Sequence, residues 1–319
     1  MSAADAQDRT TALFMKKRPA WQLELRLRLS FRTNSIPYNS RLQLGSISTM
    51  SSFDYATAFG YHSIPAAVVF AVVYLPLLAW FIRQSIKNTT YVYISLSIFC
   101  LIRVVAFVLR AILIASKSLG ENLGVFIADE VMFGVGFFAL LYSAFTLVLD
   151  REIVSGAPPV DYGALKILRN RRLFRIVLIV GVVLGIMGTN DSTSSNPSTA
   201  STGKNLRRAS LIIFLVLTLI QALQTGLAFT QQSRRVPSRY WADRHGKYVL
   251  ALISLFLVVR EVFLVATISN FTRQNEEVLW YPFVALPEVL AVMCYSMSGL
   301  VPARADLQAS KDMEYGYGM

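Results

Sequence analysis

The stretch that decides the fold is residues 91–116, YVYISLSIFCLIRVVAFVLRAILIAS. Arg103 and Arg110 are the only residues in this stretch that are charged at neutral pH. A bilayer core about 30 Å thick requires roughly 20 apolar residues of helix. Only a helix satisfies its own backbone hydrogen bonds in the bilayer core, and this stretch of 26 residues is long enough to cross it. The stretch is therefore predicted to cross a membrane as an α-helix.

Six further stretches on either side have the same character. The seven predicted spans are Ile64–Ile82, Tyr91–Ser116, Leu123–Leu149, Leu173–Gly188, Ala209–Thr230, Val249–Ser269 and Leu279–Val301. The fourth is the shortest. The predicted fold class is all-α, a polytopic membrane protein built as a seven-transmembrane-helix bundle.

The composition agrees with a membrane-embedded chain. Of 319 residues, 54% are hydrophobic and 16% are charged, and the mean hydropathy is +0.49, which is too apolar for an ordinary soluble domain. The net charge of +12 does not suggest nucleic acid as a partner, because Lys and Arg gather in short clusters between the apolar runs. The lipid bilayer is the expected partner. Cys100 and Cys294 both lie in predicted spans, so no extracellular disulfide framework is expected.

The distribution of basic residues predicts the orientation. Fourteen Lys and Arg lie in the loops after spans one, three and five and after span seven, and five lie in the loops after spans two, four and six. Since basic loops remain in the cytoplasm, the N-terminus is predicted outside and the C-terminus in the cytoplasm. Residues 53–302 then form the transmembrane domain and 303–319 a short cytoplasmic tail. The Ser/Thr-rich segment Gly188–Lys204 is predicted to be an exposed outer loop carrying the glycosylation sequon at Asn190.

The first 50 residues contain eight basic side chains on the predicted outer side and no apolar signal-peptide core. One interpretation is a disordered basic tail over residues 1–52. The other is that Met50 is the true start of the protein. The sequence leaves both open, and the membrane is expected to be the plasma membrane or an endomembrane.

Seven ionisable residues interrupt the predicted spans, and they are the candidate functional site: Arg103, Arg110, Asp129, Glu130, Arg260, Glu261 and Glu288. A charge at the bilayer centre costs about 2.5–3.5 kcal/mol on the most lenient scale, so these side chains must face one another or water. The sequence contains no glycine-rich phosphate loop and no cluster of metal ligands. We therefore expect no enzyme activity, no metal and no cofactor.

Helix geometry predicts which of these charges meet. Measured from the outer end of each span at roughly 1.5 Å per residue, Glu288 and Arg260 lie at the same depth on consecutive helices and are predicted partners. Arg110 is within reach of Asp129. Glu130 is expected in one layer with Arg260, Glu288 and the Arg103 guanidinium. Three cations and four carboxylates leave one carboxylate over, either protonated or available to a cationic ligand. A purely structural salt-bridge network is the alternative.

Proline also marks the seventh span. Pro282 and Pro287 lack a backbone N–H and can kink the helix, and Pro287 directly precedes Glu288. The Gly181-x-x-x-Gly185 pair and Gly188 in the fourth span predict close approach by another helix.

The order of features from Phe53 to Pro302 resembles the fungal seven-helix membrane proteins related to the RTA-like lipid-translocating exporters. The resemblance rests on Val72-Val73-Tyr74-Leu75-Pro76, Leu101-Ile102-Arg103, Val259-Arg260-Glu261 and Ala285-Leu286-Pro287-Glu288. It implies a fungal source and outward movement of lipids or amphipathic toxicants. The chain departs from the exporter pattern in having Arg103 where that pattern favours a carboxylate, which places it nearer the uncharacterised branch of the group.

Three functions are consistent with these features. The first is a transporter or translocator of lipid-like or amphipathic small molecules, and the second is a seven-helix receptor or sensor. Asp150-Arg151-Glu152 resembles a receptor arginine motif, although charged residues at a helix exit are ordinary and we interpret the triplet as a helix cap. The third is a structural membrane protein held by buried salt bridges. A cavity that reaches the charged residues would favour transport, and a dry, fully paired cluster would favour the structural role.

Overall fold

The computed structural model describes residues 60–155, 169–194, 196–230 and 241–309. The predicted N-terminal tail and the alternative start at Met50 lie outside these residues. Within the described part of the chain, helices are the only regular secondary structure.

Seven helices are long and apolar enough to cross a membrane, which confirms the predicted fold class. We number them α1 (Ile64–Lys87), α2 (Tyr91–Ala115), α3 (Leu123–Ser155), α4 (Arg171–Ser192), α5 (Pro197–Thr230), α6 (Gly246–Ala266) and α7 (Glu277–Tyr295). Short helices cover Lys117–Gly120, Trp241–Arg244 and Phe271–Asn275. The end of the bundle at which α1 begins is called the upper end, and the opposite end is the lower end. The orientation of the two ends in the membrane remains the prediction made from the basic residues.

Local sequence sets where the helices begin. The Ser63 hydroxyl accepts a hydrogen bond from the backbone N–H of Ala66 at 3.3 Å, and a proline lies in the first turn of α1. Asn170 caps α4 in the same way, since its side-chain oxygen accepts from the N–H groups of Arg172 and Leu173. These side chains satisfy backbone donors that the helix itself leaves free.

The third helix lies at the centre of the bundle. Its most apolar window is 72% buried, against 22% for α1 and α4, and it contacts α2, α4, α5 and α6. The peripheral helices instead present large apolar side chains outward: Val69 and Ile176 are each 58% exposed. Such exposure is unfavourable in water and is expected on a surface that faces lipid.

The prediction of an exposed outer loop between the fourth and fifth spans is wrong. Segment 188–204 is mostly helical, because α4 continues to Ser192 and α5 already begins at Pro197. Asn190 therefore lies in the last turn of α4, where it is exposed. The fourth span is also not the shortest, since α4 has 22 residues and α7 has 19.

Small residues explain why these two helices pack so closely. A Cβ atom at Gly188 would lie 2.5 Å from the backbone nitrogen of Arg207, and one at Gly185 would lie 2.9 Å from the Ser210 hydroxyl. That hydroxyl donates to the carbonyl oxygen of Gly181 at 2.7 Å. The predicted packing role of the glycines is confirmed, and the contact joins the upper halves of α4 and α5.

The seventh helix contains the expected irregularity. Residues Tyr281–Ala285 form a π-helical turn between two α-helical segments. Pro282 lies within this turn and Pro287 lies in the first turn after it, where its missing N–H leaves the α-helical bonding pattern incomplete. The wider turn ends at Ala285, two residues before Pro287, so Glu288 lies in the first turn after a locally altered backbone.

Candidate functional site

All seven ionisable residues selected from the sequence point into the bundle. Arg103, Asp129 and Glu261 have no exposed surface, and Glu130 is the least buried of the set, with 13% of its side chain exposed. They do not form one layer as expected. They separate into an upper cluster and a middle cluster.

The upper cluster is built around Arg110 of α2 and Asp129 of α3. Arg110 donates from Nε and Nη2 to Asp129 Oδ2 at 3.1 and 2.8 Å, as the sequence predicted. Arg110 Nη2 also donates to the Tyr61 hydroxyl at 2.9 Å. That hydroxyl lies 2.8 Å from Glu130 Oε1, to which it donates, and 3.3 Å from Asp129 Oδ2. Tyr61 therefore joins the two neighbouring carboxylates to one arginine.

Tyr61 precedes α1 and is held in place by backbone contacts. Gly60 has a φ of +89°, a left-handed conformation that favours glycine. Glu277 Oε1 accepts from the backbone N–H groups of His62 and Ser63 at 2.9 and 3.0 Å, which ties this segment to the start of α7. Burial raises the pKa of the Tyr61 phenol well above its usual value, so the hydroxyl is neutral and keeps its donor proton.

Aromatic rings surround the Arg110 guanidinium. Its central carbon lies 4.3 Å from the ring centres of Tyr61 and Phe133 and 4.0 Å from that of Trp280. The electron-rich faces of these rings partly replace water around the cation. The arrangement makes a fully buried arginine tolerable together with its carboxylate.

Arg207 of α5 completes the upper cluster, and the sequence did not identify it. Its Nη2 lies 3.9 Å from Glu130 Oε2 and donates to Gln274 Oε1. Gln274 in turn donates to the carbonyl oxygen of Leu264 at 2.9 Å. Arg207 precedes the apolar run of the fifth span and was counted as a loop residue. Only the extension of α5 to Pro197 shows that it lies on a packed helix.

The middle cluster joins α2, α6 and α7 through a single oxygen. Glu288 Oε1 accepts from Arg260 Nε and from Arg103 Nη2, each at 2.7 Å. Arg260 also pairs with its neighbour Glu261. Arg103 Nη2 donates in addition to the carbonyl oxygen of Phe133 at 3.1 Å. The predicted Arg260–Glu288 pair is confirmed, but the same carboxylate is shared with Arg103.

The structure corrects the expectation of a surplus carboxylate, because Arg207 adds a fourth cation to the bundle. The upper cluster contains Arg110 and Arg207 against Asp129 and Glu130, and the middle cluster contains two arginines against two glutamates. Each cluster is therefore formally neutral. The sequence had three cations for four carboxylates because a basic residue near the helix end was not assigned to the bundle.

A cavity of about 110 Å³ reaches both clusters. Its lining residues come mainly from α3 to α7, with Arg110 from α2, and four of them are charged: Arg110, Glu130, Arg207 and Arg260. Apolar side chains such as Phe137 and Phe214 form most of the remaining wall. Asp129, Arg103, Glu261 and Glu288 are not among its lining residues. The charged residues thus fall into two groups. Those that line the cavity can contact a ligand or water, and the other four contact only protein groups around them.

A second pocket of about 480 Å³ adjoins this cavity at the upper end of the bundle. Thr189, Arg207 and Leu211 line both spaces. We call the upper pocket the vestibule. Its other lining residues come from the upper parts of α3, α4 and α5 and from the segment after α6: Phe126, Ser192, Thr193, Lys204, Arg208, Ile268, Ser269 and Asn270. Arg207 stands at the junction between vestibule and cavity.

The lower end contains a separate pocket of about 570 Å³ lined by Arg151 and Asp243, among others. Arg151 pairs with Asp243 at 2.8 Å and donates to the carbonyl oxygen of Leu300 at 2.7 Å. Asp150 pairs with Arg171 at the start of α4, and Glu152 pairs with Arg169 just before it, at 2.6 Å each. The interpretation of this triplet as a helix cap is wrong. Helix α3 continues to Ser155, and the three side chains join its lower end to surrounding segments.

These features define the class of protein: a multi-pass α-helical membrane protein with two buried ion clusters and a cavity that adjoins a pocket at one end of the bundle. The chain belongs to the family described as Domain of unknown function (DUF7702), whose model matches residues 60–304. This match covers all seven helices. Comparison with curated proteins gives no match, and comparison with solved structures gives none.

Proposed function

We propose that this protein binds an amphipathic small molecule through the vestibule and cavity and moves it between the membrane and the outer aqueous side. The observation that carries the proposal is the cavity itself, which reaches four charged side chains within the membrane-spanning bundle and adjoins a larger pocket at its upper end. A purely structural network requires paired charges but no such space.

The chemistry of the cavity wall supports an amphipathic ligand. Small-molecule sites are mostly apolar with a few convergent polar groups, and this wall combines aliphatic and aromatic side chains with the charged groups of Arg110, Glu130, Arg207 and Arg260. Ionisable residues inside a membrane bundle commonly mark substrate pathways. The resemblance to lipid-translocating exporters also favours an amphipathic ligand. Without an ATP-binding motif in the sequence, movement would be passive or coupled to an ion.

The two clusters have different parts in this proposal. Arg103, Glu261 and Glu288 do not line the cavity, so we assign the middle cluster mainly to fixing the register of α2, α6 and α7, with Arg260 alone facing the ligand space. The upper cluster borders the pathway through Glu130 and Arg207. A conformational change during transport would most easily involve this pair, because its 3.9 Å separation is longer than the 2.7–2.8 Å of the deeper pairs.

A receptor or sensor is the second candidate, and the lower pocket favours it. The Arg151–Asp243 pair joins α3 to the short helix before α6 at the end predicted to face the cytoplasm. A ligand-driven movement of α3 could be transmitted there to a protein partner. In this function the ligand would bind at the upper end without crossing the membrane.

The test uses two glycines that have open space at the position of a Cβ atom. A Cβ at Gly134 or at Gly226 would meet no atom within 4 Å, but Gly134 lines the cavity and Gly226 lies on the exposed surface of α5. Gly134→Leu should obstruct the cavity, and Gly226→Leu is the matched control. Purified full-length protein in liposomes would be assayed with fluorescent single-chain amphipaths whose headgroups are anionic, zwitterionic or cationic, measuring both binding and movement between leaflets.

Binding and movement that Gly134→Leu abolishes and Gly226→Leu preserves would support transport. Binding without movement would favour the receptor. If no probe binds better than to empty liposomes, or if both substitutions act alike, the cavity has no role in ligand handling and the structural function stands.

A further inference from the structure

The charged residues that line the vestibule are all basic. Lys204, Arg207 and Arg208 line it, and none of its described lining residues is acidic. The three basic residues are spaced i, i+3 and i+4 on α5, a spacing that places them on one face of the helix. The nearest acidic residue in sequence across the hairpin, Asp191, packs its Cβ against Gly203 and is not part of the wall. Because Arg207 balances Glu130, Lys204 and Arg208 supply the net positive charge of the vestibule, which attracts anions and repels cations.

The opposite walls provide hydroxyl oxygens and apolar surface. The hydroxyls of Thr189, Ser192 and Thr193 donate to backbone carbonyl oxygens of α4. Ser269 adds a fourth hydroxyl, and Phe126, Leu211 and Ile268 contribute apolar side chains. Lys and Arg side chains donate charge-assisted hydrogen bonds to phosphate and carboxylate oxygens. The vestibule therefore offers charge and hydrogen bonds to a headgroup and apolar contact to the chain attached to it.

We propose that the vestibule selects amphipathic molecules with an anionic headgroup, a phosphate or a carboxylate, held by Lys204, Arg207 and Arg208. This inference rests on the proposed function and specifies its ligand. It differs from what the sequence suggested, because a surplus carboxylate would have favoured a cationic ligand. The neutral upper cluster removes that surplus, and the remaining net charge at the entrance is positive.

Arg207 connects ligand binding to the upper cluster. It borders both the vestibule and the cavity, and it lies 3.9 Å from Glu130. An anionic headgroup in the vestibule competes with Glu130 for this guanidinium. Glu130 would then rely on the Tyr61 hydroxyl, 2.8 Å away. Binding of the headgroup would therefore weaken the Arg207–Glu130 ion pair that joins α5 to α3.

The binding experiment compares four fluorescent probes with the same single acyl chain and different headgroups: phosphate, carboxylate, phosphocholine and a primary amine. Full-length protein is held in neutral liposomes. We expect the two anionic probes to bind at least about tenfold more tightly than the amine probe, because each basic side chain near an anionic group contributes on the order of a two- to fivefold preference. Higher salt should reduce this preference by screening the exposed charges.

The variant Lys204→Gln/Arg208→Gln tests the basic residues. Both side chains are exposed, so folding should be preserved. The matched control is Arg83→Gln/Lys87→Gln, which removes the same charges from exposed positions near the lower end of α1. We expect the first variant to weaken binding of the two anionic probes about tenfold and that of the phosphocholine probe by a much smaller factor, because the choline cation offsets its phosphate charge. The control variant should leave the affinities for the anionic and phosphocholine probes unchanged.

The outcomes separate this inference from the proposed function. Equal affinity for all four headgroups, or preference for the amine, would overturn anion selection while leaving transport of amphipaths intact. Full displacement of the anionic probes by inorganic phosphate would show that the vestibule recognises a free anion and would overturn the amphipathic requirement. Failure of every probe to bind would remove the proposed function as well.

Discussion

The shared oxygen of Glu288 makes a sharp prediction about which charges can be removed together. Arg103 and Arg260 both contact Glu288 Oε1 at 2.7 Å, and Arg260 also pairs with Glu261. Replacing Arg103 and Glu288 together leaves Arg260 with Glu261. Replacing Arg260 and Glu288 together leaves Arg103 and Glu261 without the opposite charge that each contacts now. The two double mutants, Arg103→Met/Glu288→Gln and Arg260→Met/Glu288→Gln, contain the same types of substitution.

The magnitude follows from the cost of an isolated buried charge. Removing one partner of a buried pair costs about 3–5 kcal/mol, whereas removing both partners is often close to neutral. Glu288→Gln alone should therefore destabilise the protein by about 3 kcal/mol or more, and adding Arg103→Met should recover most of this loss. Adding Arg260→Met should recover little, because it isolates Glu261. At about 2 °C per kcal/mol, the two double mutants should differ by roughly 6 °C in midpoint temperature.

The assay is thermal unfolding of purified protein in detergent, followed by the fraction that remains monodisperse, together with folded abundance in the membrane. Since membrane proteins often unfold irreversibly, all variants are heated at one rate. The Arg260→Met/Glu261→Gln variant is a second balanced double mutant and should behave like Arg103→Met/Glu288→Gln. Equal stability of the balanced and unbalanced doubles would refute the shared-carboxylate arrangement.

Three further predictions concern other parts of the bundle. Gly188→Ala should lower the midpoint temperature because its Cβ would lie 2.5 Å from a backbone nitrogen of α5, whereas Gly226→Ala meets no atom and should be neutral or stabilising by up to about 1 kcal/mol. Tyr61→Phe removes the hydroxyl between Arg110 and Glu130 and should cost about 1–3 kcal/mol, measured by the same thermal assay. A tag after Met319 should resist external protease in intact cells, since 14 of the 19 loop cations lie on that side; cleavage there would reverse the orientation.

The number and type of helices followed from the sequence because lipid imposes a simple rule. Each span needs a run of apolar residues and an internally bonded backbone, and both are local properties readable in stretches such as residues 91–116. The cost of membrane-embedded charge equally identified the ionisable residues. Even the Arg260–Glu288 pair followed from helical rise, because the two residues lie on consecutive helices joined at one end.

The polar helix ends were less predictable. Segment 188–204 contains few apolar residues, yet much of it is helical because Gly185, Gly188 and Gly203 allow two backbones to pack closely. That stabilisation comes from contact between helices, which hydropathy does not measure. The error had a chemical consequence, since it assigned Arg207 to a loop.

The sequence by itself thus determined the fold class, the seven spans and the identity of the charges that need partners, because these depend on local apolarity and on the cost of burial. Only the tertiary structure decided which charges meet and which of them border the cavity. Partner choice depends on helix rotation and on neighbouring helices that are distant along the chain, such as α2 and α7, whose Arg103 and Glu288 are 185 positions apart. The same packing placed Arg207 beside Glu130 and left Lys204 and Arg208 facing the vestibule.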